Sequence, residues 1–186
     1  MSLVTWYTYR MELLTGELRT KLEANHEATL AVQRQRYLGE AGDELSEPDH
    51  EPVVEFFVPG TAATWLVTEL LPDGDTLFGL ADMGVGFPEL GYFSLSELAG
   101  LCTKSGFRVE RELYFETEAP ISVYAETARE LGSLSEAIMD LEAQTAAATR
   151  QSQTLDMDDV TDRGFHYTVA ELETDIDLDL GSRLEL

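Results

Sequence analysis

The chain has 186 residues, with 36 Asp and Glu against 12 Lys and Arg, so its formal net charge is −24. Hydrophobic residues make up 44% of it, which is enough to build a core. The chain is therefore not disordered over its whole length. A chain this negative repels phosphates and anionic headgroups, so we expect it to bind neither nucleic acid nor a membrane surface directly.

Several further classes of protein lack support in the sequence. No apolar run approaches the length of a membrane span, and the first thirty residues lack the pattern of a signal peptide, so we expect a cytoplasmic protein. The single Cys102 excludes an internal disulfide framework and a cysteine-based zinc site. No nucleophile elbow, His-Glu-x-x-His motif or Walker loop is present, and the three histidines are far apart. We therefore assign no catalytic residue, no metal and no cofactor.

The acidity has three possible sources. Ten of the 12 basic residues are arginines, as a GC-rich genome favours, and a saline host favours acidic surfaces that stay hydrated. The third source is imitation of a nucleic acid. Duplex DNA carries one charge per roughly 1.7 Å, so the surplus charge corresponds to about 40 Å, or roughly 12 base pairs. Composition leaves all three open.

The first elements are a leader, a helix and a loop. Residues 1–10 have the character of a leader ahead of Met11. Leu14, Leu18 and Leu22 recur at every fourth position, and Thr15 can serve as N-cap. This pattern predicts a helix from about residue 16 to 36. His26 continues its apolar stripe and is expected to be packed and hydrogen-bonded. Residues 39–52 are rich in Gly, Pro and acids, which predicts a loop with a solvated His50.

The clearest local signal is a β-hairpin. Pro72-Asp73-Gly74-Asp75 is turn chemistry between two β-compatible stretches, 63–71 and 76–82, and a short strand at 53–58 precedes them. Alternation assigns Trp65, Val67 and Glu69 to one face and Leu66, Thr68 and Leu70 to the other. Both faces are partly apolar, so we expect the hairpin inside a sheet covered by helices. The Gly84-Val85-Gly86 run that follows lacks the rest of a phosphate loop and predicts a turn.

Three helices and one strand are predicted next. Capping boxes at residues 94–97 and 133–136 predict one helix to about Cys102 and another ending near Arg150. A third helix follows Pro120 and runs to Leu131. Between the helix that ends near Cys102 and the helix that follows Pro120, residues 107–115 alternate as an amphipathic strand whose apolar face is interrupted by Arg111. We expect Arg111 to pair with a glutamate at the edge of the core.

The C-terminal region is the most acidic part of the chain. Residues 151–186 hold ten acidic and two basic residues. The first aspartates do not form a calcium loop, because Val160 and Thr161 replace required positions, and Gly181 falls one place late for a second loop. Acids alternating with aliphatic residues suit an edge strand, or a tail that orders against a basic partner. The predicted partner-binding residues are Asp156, Asp158, Asp159, Asp162, Asp175, Asp177 and Asp179.

The central sequence resembles domain-of-unknown-function family 2958, a group of small acidic bacterial proteins often carried on mobile elements. The resemblance covers roughly residues 11–126 and rests on ATWL at 63–66, TEL at 68–70, FGLAD at 78–82, GFPELGY at 86–92 and SLSEL at 94–98. It implies a fold and a mobile-element setting, but no activity and no catalytic residue. The segment after about Gly132 lies outside the resemblance.

Taken together, these patterns predict an α+β protein with a small antiparallel sheet built around the hairpin, flanking helices, a C-terminal helix and an acidic tail. We divide it into a leader at 1–10, an α+β domain at 11–131 and a helical, acidic extension at 132–186. The favoured function is a non-enzymatic accessory or inhibitor protein of a mobile element, whose acidic surface binds a basic, nucleic-acid-binding host protein. Its oligomeric state is left open.

Two alternative interpretations remain. One is a small enzyme or ligand-binding domain in which the acidity serves only solubility. Its pocket would be lined by Trp65, Glu69, Asp82, Glu89 and Tyr92. The other is a housekeeping domain of a saline host, which would carry its charges evenly over the surface.

Overall fold

A computed structural model describes residues 12–39 and 45–162 of the chain, with side chains described as far as residue 151. Its elements in chain order are α1 (Gly16–Tyr37), β1 (Val54–Phe57), β2 (Ala63–Leu70), β3 (Thr76–Met83), β4 (Glu89–Ser94), α2 (Leu95–Gly100), β5 (Glu110–Arg111), α3 (Ile121–Leu131) and α4 (Leu134–Asp162). The strands form one antiparallel sheet in the order β4-β3-β2-β1-β5. The predicted α+β class, with a small antiparallel sheet, flanking helices and a C-terminal helix, is confirmed.

Two groups of buried side chains cover the sheet on opposite faces. Trp65 of β2 packs in one group with Leu22 of α1, Phe56 of β1 and the leucines of α2. The next residue, Leu66, packs in the other group with α3 and the first turns of α4. Because consecutive strand residues point to opposite faces, α1 and α2 cover one face and α3 and α4 the other. Both hairpin strands are therefore interior, as predicted.

The hairpin turn depends on Asp73 and Gly74. Gly74 has a φ of 71°, and the Asp73 carboxylate accepts from the backbone N–H groups of Asp75 and Thr76. These hydrogen bonds, above all that from the Thr76 hydroxyl, lower the pKa of Asp73. Gly and Asp at these positions make the turn readable from sequence.

The predicted alternation along β2 is wrong at Leu70. The register shifts between Val67 and Glu69, as in a β-bulge. A bulge inserts one extra residue into a strand and interrupts the regular alternation of its side chains. Leu70 consequently packs in the same group as Trp65 and Val67, whereas the sequence assigned it to the opposite face.

The helices begin as predicted. The Thr15 hydroxyl accepts from Leu18 N at the start of α1, and the Ser94 hydroxyl accepts from Glu97 N at the start of α2. Gly132 ends α3 in the left-handed conformation with a φ of 74°. The expected end of the last helix near Arg150 is wrong, since α4 continues to Asp162. Residues 151–162 contain neither Gly nor Pro, so nothing in them terminates a helix.

The sequence predictions differ from the structure at two strands, β5 and β4. The amphipathic strand at residues 107–115 is reduced to Glu110–Arg111, because β5 pairs only with Phe56 and Phe57 of β1. Strand β4 was not predicted at all, although it pairs with β3 from Thr76↔Ser94 to Ala81↔Glu89. Alternation alone does not supply a pairing partner, and a short, exposed edge strand that contains glycine lacks the usual signal.

The chain divides into two units, Met1–Ala143 and Gln144–Leu186. The first contains the sheet and the helices from α1 to the beginning of α4. The described part of the second is the remainder of α4. No helix among the described residues combines the length and the apolar character needed to cross a bilayer.

Candidate functional site

A hydrogen-bonded polar group surrounds Glu69, which is only 6% exposed. One carboxylate oxygen lies 2.8 Å from His26 Nδ1 of α1, and the other accepts from the Thr29 hydroxyl at 2.8 Å. The Thr29 oxygen also lies 3.0 Å from His50 Nε2. The network thus joins α1, β2 and the segment before β1.

The donors in this network follow from the chemistry of its groups. A hydroxyl has one proton, and that of Thr29 goes to Glu69, so His50 Nε2 must donate to Thr29. His26 Nδ1 likewise donates to the Glu69 carboxylate. The expectation for His26, a packed and hydrogen-bonded residue, is confirmed. The described residues of the predicted loop, 45–52, are irregular and mostly exposed, but His50 is half-buried, because its ring bonds Thr29 and its carbonyl accepts from Ile121 N at 2.9 Å.

Asp82 is the second buried carboxylate, with 1% exposure. One oxygen accepts from Gly84 N at 2.7 Å and the other from Leu134 N at 2.9 Å. Leu134 is the first residue of α4, where backbone N–H groups lack partners within the helix. Asp82 therefore caps α4 from the end of β3.

The five residues predicted to line a pocket lie in different environments. Trp65 is buried in the core beside α1, and Glu69 and Asp82 have both oxygens engaged in hydrogen bonds. Glu89 and Tyr92 lie on the exposed strand β4. Register brings Trp65 near Glu89 through Ala81, and Glu69 near Tyr92 through Phe78.

A small cavity of about 190 Å³ lies elsewhere, between the start of α1 and β5. It is lined by Thr15, Glu17, Leu18, Val53, Val54, Arg111, Glu112, Leu113 and Phe115, and so by none of the five. Ligand pockets usually measure roughly 300–1,000 Å³. Arg111 Nη1 donates to the carbonyl of Leu13 at 3.3 Å. Within the described part of the chain it forms no ion pair with a glutamate, so that expectation is wrong.

Three carboxylates, those of Glu55, Glu112 and Glu142, influence one another. Glu55 lies on the face of the sheet that α3 and α4 cover, because its neighbour Phe56 packs on the α1 side. Burial first, and then the negative charges of Glu112 and Glu142, raise the pKa of Glu55 to about 7. The Tyr124 hydroxyl donates to Thr117 at 2.8 Å, and burial is the main cause that raises its pKa. Sequence reasoning missed this cluster. Its one local signal is a glutamate inside the apolar run Val53–Val58.

The two sides of the sheet differ in charge. Helix α1 carries three acidic and four basic residues, and α2 on the same side adds Glu97, so these two helices together are balanced. From Glu112 to Glu142, where α3 and the first part of α4 lie, there are eight acidic residues and one basic residue, Arg129. Seven of these eight are exposed, namely Glu116, Glu118, Glu126, Glu130, Glu136, Asp140 and Glu142. We call the segment from Glu112 to Glu142 the acidic side.

The seven predicted partner-binding aspartates are only partly within the structure. Asp156, Asp158, Asp159 and Asp162 belong to the last turns of α4, where no basic residue stands in the final turn. Asp175, Asp177 and Asp179 lie outside the described residues. Among the described residues, no group of three or more His, Cys, Asp or Glu side chains is arranged to hold a metal ion.

Fold and surface together define a small acidic α+β protein with an antiparallel sheet between two helical layers. The chain belongs to the family described as protein of unknown function (DUF2958), whose model matches residues 13–135. That range runs from the residues before α1 to the first turn of α4 and includes the whole described sheet. No match was found among curated proteins or among solved structures.

Proposed function

We propose that this protein is a non-enzymatic, cytoplasmic accessory or inhibitor protein of a mobile element. Its acidic surface would bind a basic, nucleic-acid-binding host protein in place of nucleic acid, as an anti-defence DNA mimic does. The observation that carries the proposal is the unequal charge of the two sides of the sheet. Eight acids against one base on the acidic side supply a directed negative field, whereas helix α1, with three acids and four bases, supplies almost none.

The crowding around Glu55 supports the same proposal. Like charges in proximity disfavour ionisation, and this costs stability unless a cation is nearby. Burial is the larger cause of the pKa of about 7 at Glu55, and the charges of Glu112 and Glu142 add to it, so an approaching arginine or lysine would relieve the repulsive part.

Competition against duplex DNA tests the proposal. The purified protein is titrated into restriction or nuclease complexes bound to labelled duplex at low salt. We expect displacement of the duplex, and we expect it to weaken steeply as salt rises, because released counterions drive such binding. Absence of displacement from these complexes at low salt contradicts the proposal.

A matched pair of variants locates the active surface. Replacing Glu126, Glu130 and Glu136 by Gln removes three charges from the acidic side, and replacing Glu17, Glu23 and Glu27 by Gln removes three from α1. We expect the first variant to lose most of the competition and the second to retain it. Equal losses would mean that total charge, and not the acidic side, determines binding.

The Glu55 cluster also favours a second candidate, a small enzyme or ligand-binding domain. A carboxyl group with a pKa near neutrality can act as a general acid or base. A thermal-shift screen of small-molecule ligands, repeated with Glu55→Gln, distinguishes the two candidates. A ligand that stabilises the native protein but not the variant favours the enzyme.

A further inference from the structure

We propose that the outer edge of β4, with the loop before it, binds an extended segment of the cationic partner by β-strand addition. This proposal rests on the proposed function, because the partner is the same basic protein. The surface is formed by Val85, Phe87, Leu90 and Tyr92, and we call it the β4 patch.

The backbone of β4 is available for pairing. It is the terminal strand of the sheet, and among the described residues it pairs with β3 alone. It is six residues long, whereas β5 at the other edge has two. An edge strand presents unpaired N–H and C=O groups that accept a further strand.

The side chains around this edge are apolar and exposed. Val85 is 69% exposed, Phe87 75% and Tyr92 65%. From Met83 to Ser96 the only charged residue is Glu89, although a quarter of the whole chain is charged. Contiguous exposed apolar residues mark interaction sites more often than chance placement does. Natural edges are usually protected by charge, and this one carries little.

The β4 patch adjoins the acidic side. Leu90 pairs with Leu80, which packs against α3 and α4, so Leu90 and Tyr92 belong to the face that carries those helices. The loop before β4 also approaches the turn between α3 and α4, since a Cβ on Gly86 would lie 3.8 Å from the carbonyl oxygen of Gly132. Glu130 and Glu136 flank that turn in sequence. An apolar centre with a charged rim is the usual anatomy of an interface.

Charge complementarity decides the occupant. A second copy of this chain would bring another −24 charges against the same face, and such net charge opposes self-association. A segment with alternating apolar residues, flanked by arginines, would pair with β4 while its cations meet the acidic side. Backbone pairing would supply affinity, and the contacts with Phe87 and Tyr92 would select the apolar side chains.

The test uses a synthetic peptide that alternates valine and threonine and carries arginines at both ends. Its binding to the full chain is measured by fluorescence anisotropy at low salt. We expect Phe87→Ala and Tyr92→Ala each to weaken binding by about tenfold, the effect of losing an aromatic contact at the centre of an interface. Tyr114→Ala is the control, because Tyr114 is an even more exposed aromatic residue, at 88%, but lies beyond β5, and this variant should bind as the native protein does.

Two further measurements separate strand addition from simple adsorption of charge. A peptide of the same charge with proline at its centre cannot complete the pairing and should bind poorly. Amide hydrogen exchange should slow in β4 only with the first peptide. Equal binding of the two peptides, or unchanged binding by the Phe87 and Tyr92 variants, overturns the proposal. A dimer in sedimentation that Tyr92→Ala abolishes also overturns it, because it assigns the edge to a second copy.

The outcome is independent of the test of the proposed function. If the chain displaces duplex DNA and the Phe87 and Tyr92 variants do so equally well, the β4 patch is wrong and the proposed function stands. If the peptide binds at β4 but no nucleic-acid-binding complex is displaced, the β4 patch stands and the proposed function is wrong.

Discussion

Asp82 at the end of β3 accepts a hydrogen bond at 2.9 Å from the backbone N–H of Leu134, the first residue of α4, across 52 positions of sequence. The contact is buried, and the second carboxylate oxygen is held by Gly84 N. A carboxylate at a helix N-terminus both caps the free N–H groups and complements the helix dipole. This one residue therefore fixes the start of the helix that carries part of the acidic side.

Replacing Asp82 by Ala should destabilise the protein by about 2–3 kcal/mol, because the buried N–H of Leu134 and the N–H of Gly84 lose their acceptor. Asp82→Asn keeps one acceptor oxygen and should cost less. Urea unfolding followed by circular dichroism measures both. Glu126→Ala, an exposed acid in α3, serves as the control and should change little. A free energy for Asp82→Ala equal to that of the control would mean that the cap contributes nothing.

Gly79 of β3 and Gly91 of β4 are paired across the sheet. We predict that alanine destabilises the protein at Gly79, and Gly91 is the control. A Cβ on Gly79 would lie 2.0 Å from the carbonyl oxygen of Leu66, whereas nothing lies within 4 Å of one on Gly91. Gly79→Ala should therefore destabilise the protein by about 3 kcal/mol or more, since the backbone must move. Gly91→Ala should stay within about 0.5 kcal/mol. Thermal unfolding of the two variants compares them, and similar losses would contradict the close contact.

Elements with local chemistry could be predicted from the sequence. The hairpin followed from Pro72 to Asp75, and the starts of α1, α2 and α4 followed from hydroxyl caps, because each signal lies within four residues of its effect. Strand β4 and the bulge near Thr68 could not be predicted this way. Both depend on how β3 pairs with its neighbours, which no local pattern encodes.

The polar sites were less accessible to sequence reasoning. His26 and Glu69 lie 43 residues apart, and Glu55 meets Glu112 and Glu142 only after the sheet and α4 assemble. The sequence predicted Glu69 and Asp82 only as residues that line a possible pocket. It did not indicate that each is already satisfied by donors from distant elements, which is a property of the folded chain.

We predict that the Thr29 hydroxyl stabilises the protein, because it links Glu69 to His50. Thr29→Val removes the hydroxyl between Glu69 and His50 and leaves a buried carboxylate oxygen and a ring N–H without their partner. We expect a loss of about 2 kcal/mol by urea unfolding, and a much smaller loss for Thr29→Ser, which keeps the hydroxyl. Thr20→Val, at an exposed position of α1, controls for the effect of valine on the helix. If the Val and Ser variants at position 29 were equally stable, the hydroxyl would have no role.

The raised pKa of Glu55 predicts how stability depends on pH. Its ordinary value is 4.5 and its folded value is about 7, so the folded state holds a proton more tightly than the unfolded state. By linkage, this group's contribution makes the protein most stable below about pH 4.5, and stability declines as pH rises from there to about 7. Glu55→Gln removes this contribution. Because Glu55 is only partly buried, solvent screening reduces the effect, and we expect the variant to be more stable than the native protein by about 1 kcal/mol near pH 8.

The measurement is the free energy of unfolding in urea at several pH values, for the native chain, Glu55→Gln and Glu126→Gln. The exposed Glu126 is the control, and its variant should follow the native curve. The difference between Glu55→Gln and the native protein should grow between pH 4.5 and 7 and then level off, because Glu55 is fully ionised above that range. A difference that is constant across pH would show that Glu55 has an ordinary pKa. In that case the crowding of Glu55, Glu112 and Glu142 would place no strain on the acidic side for a cationic partner to relieve.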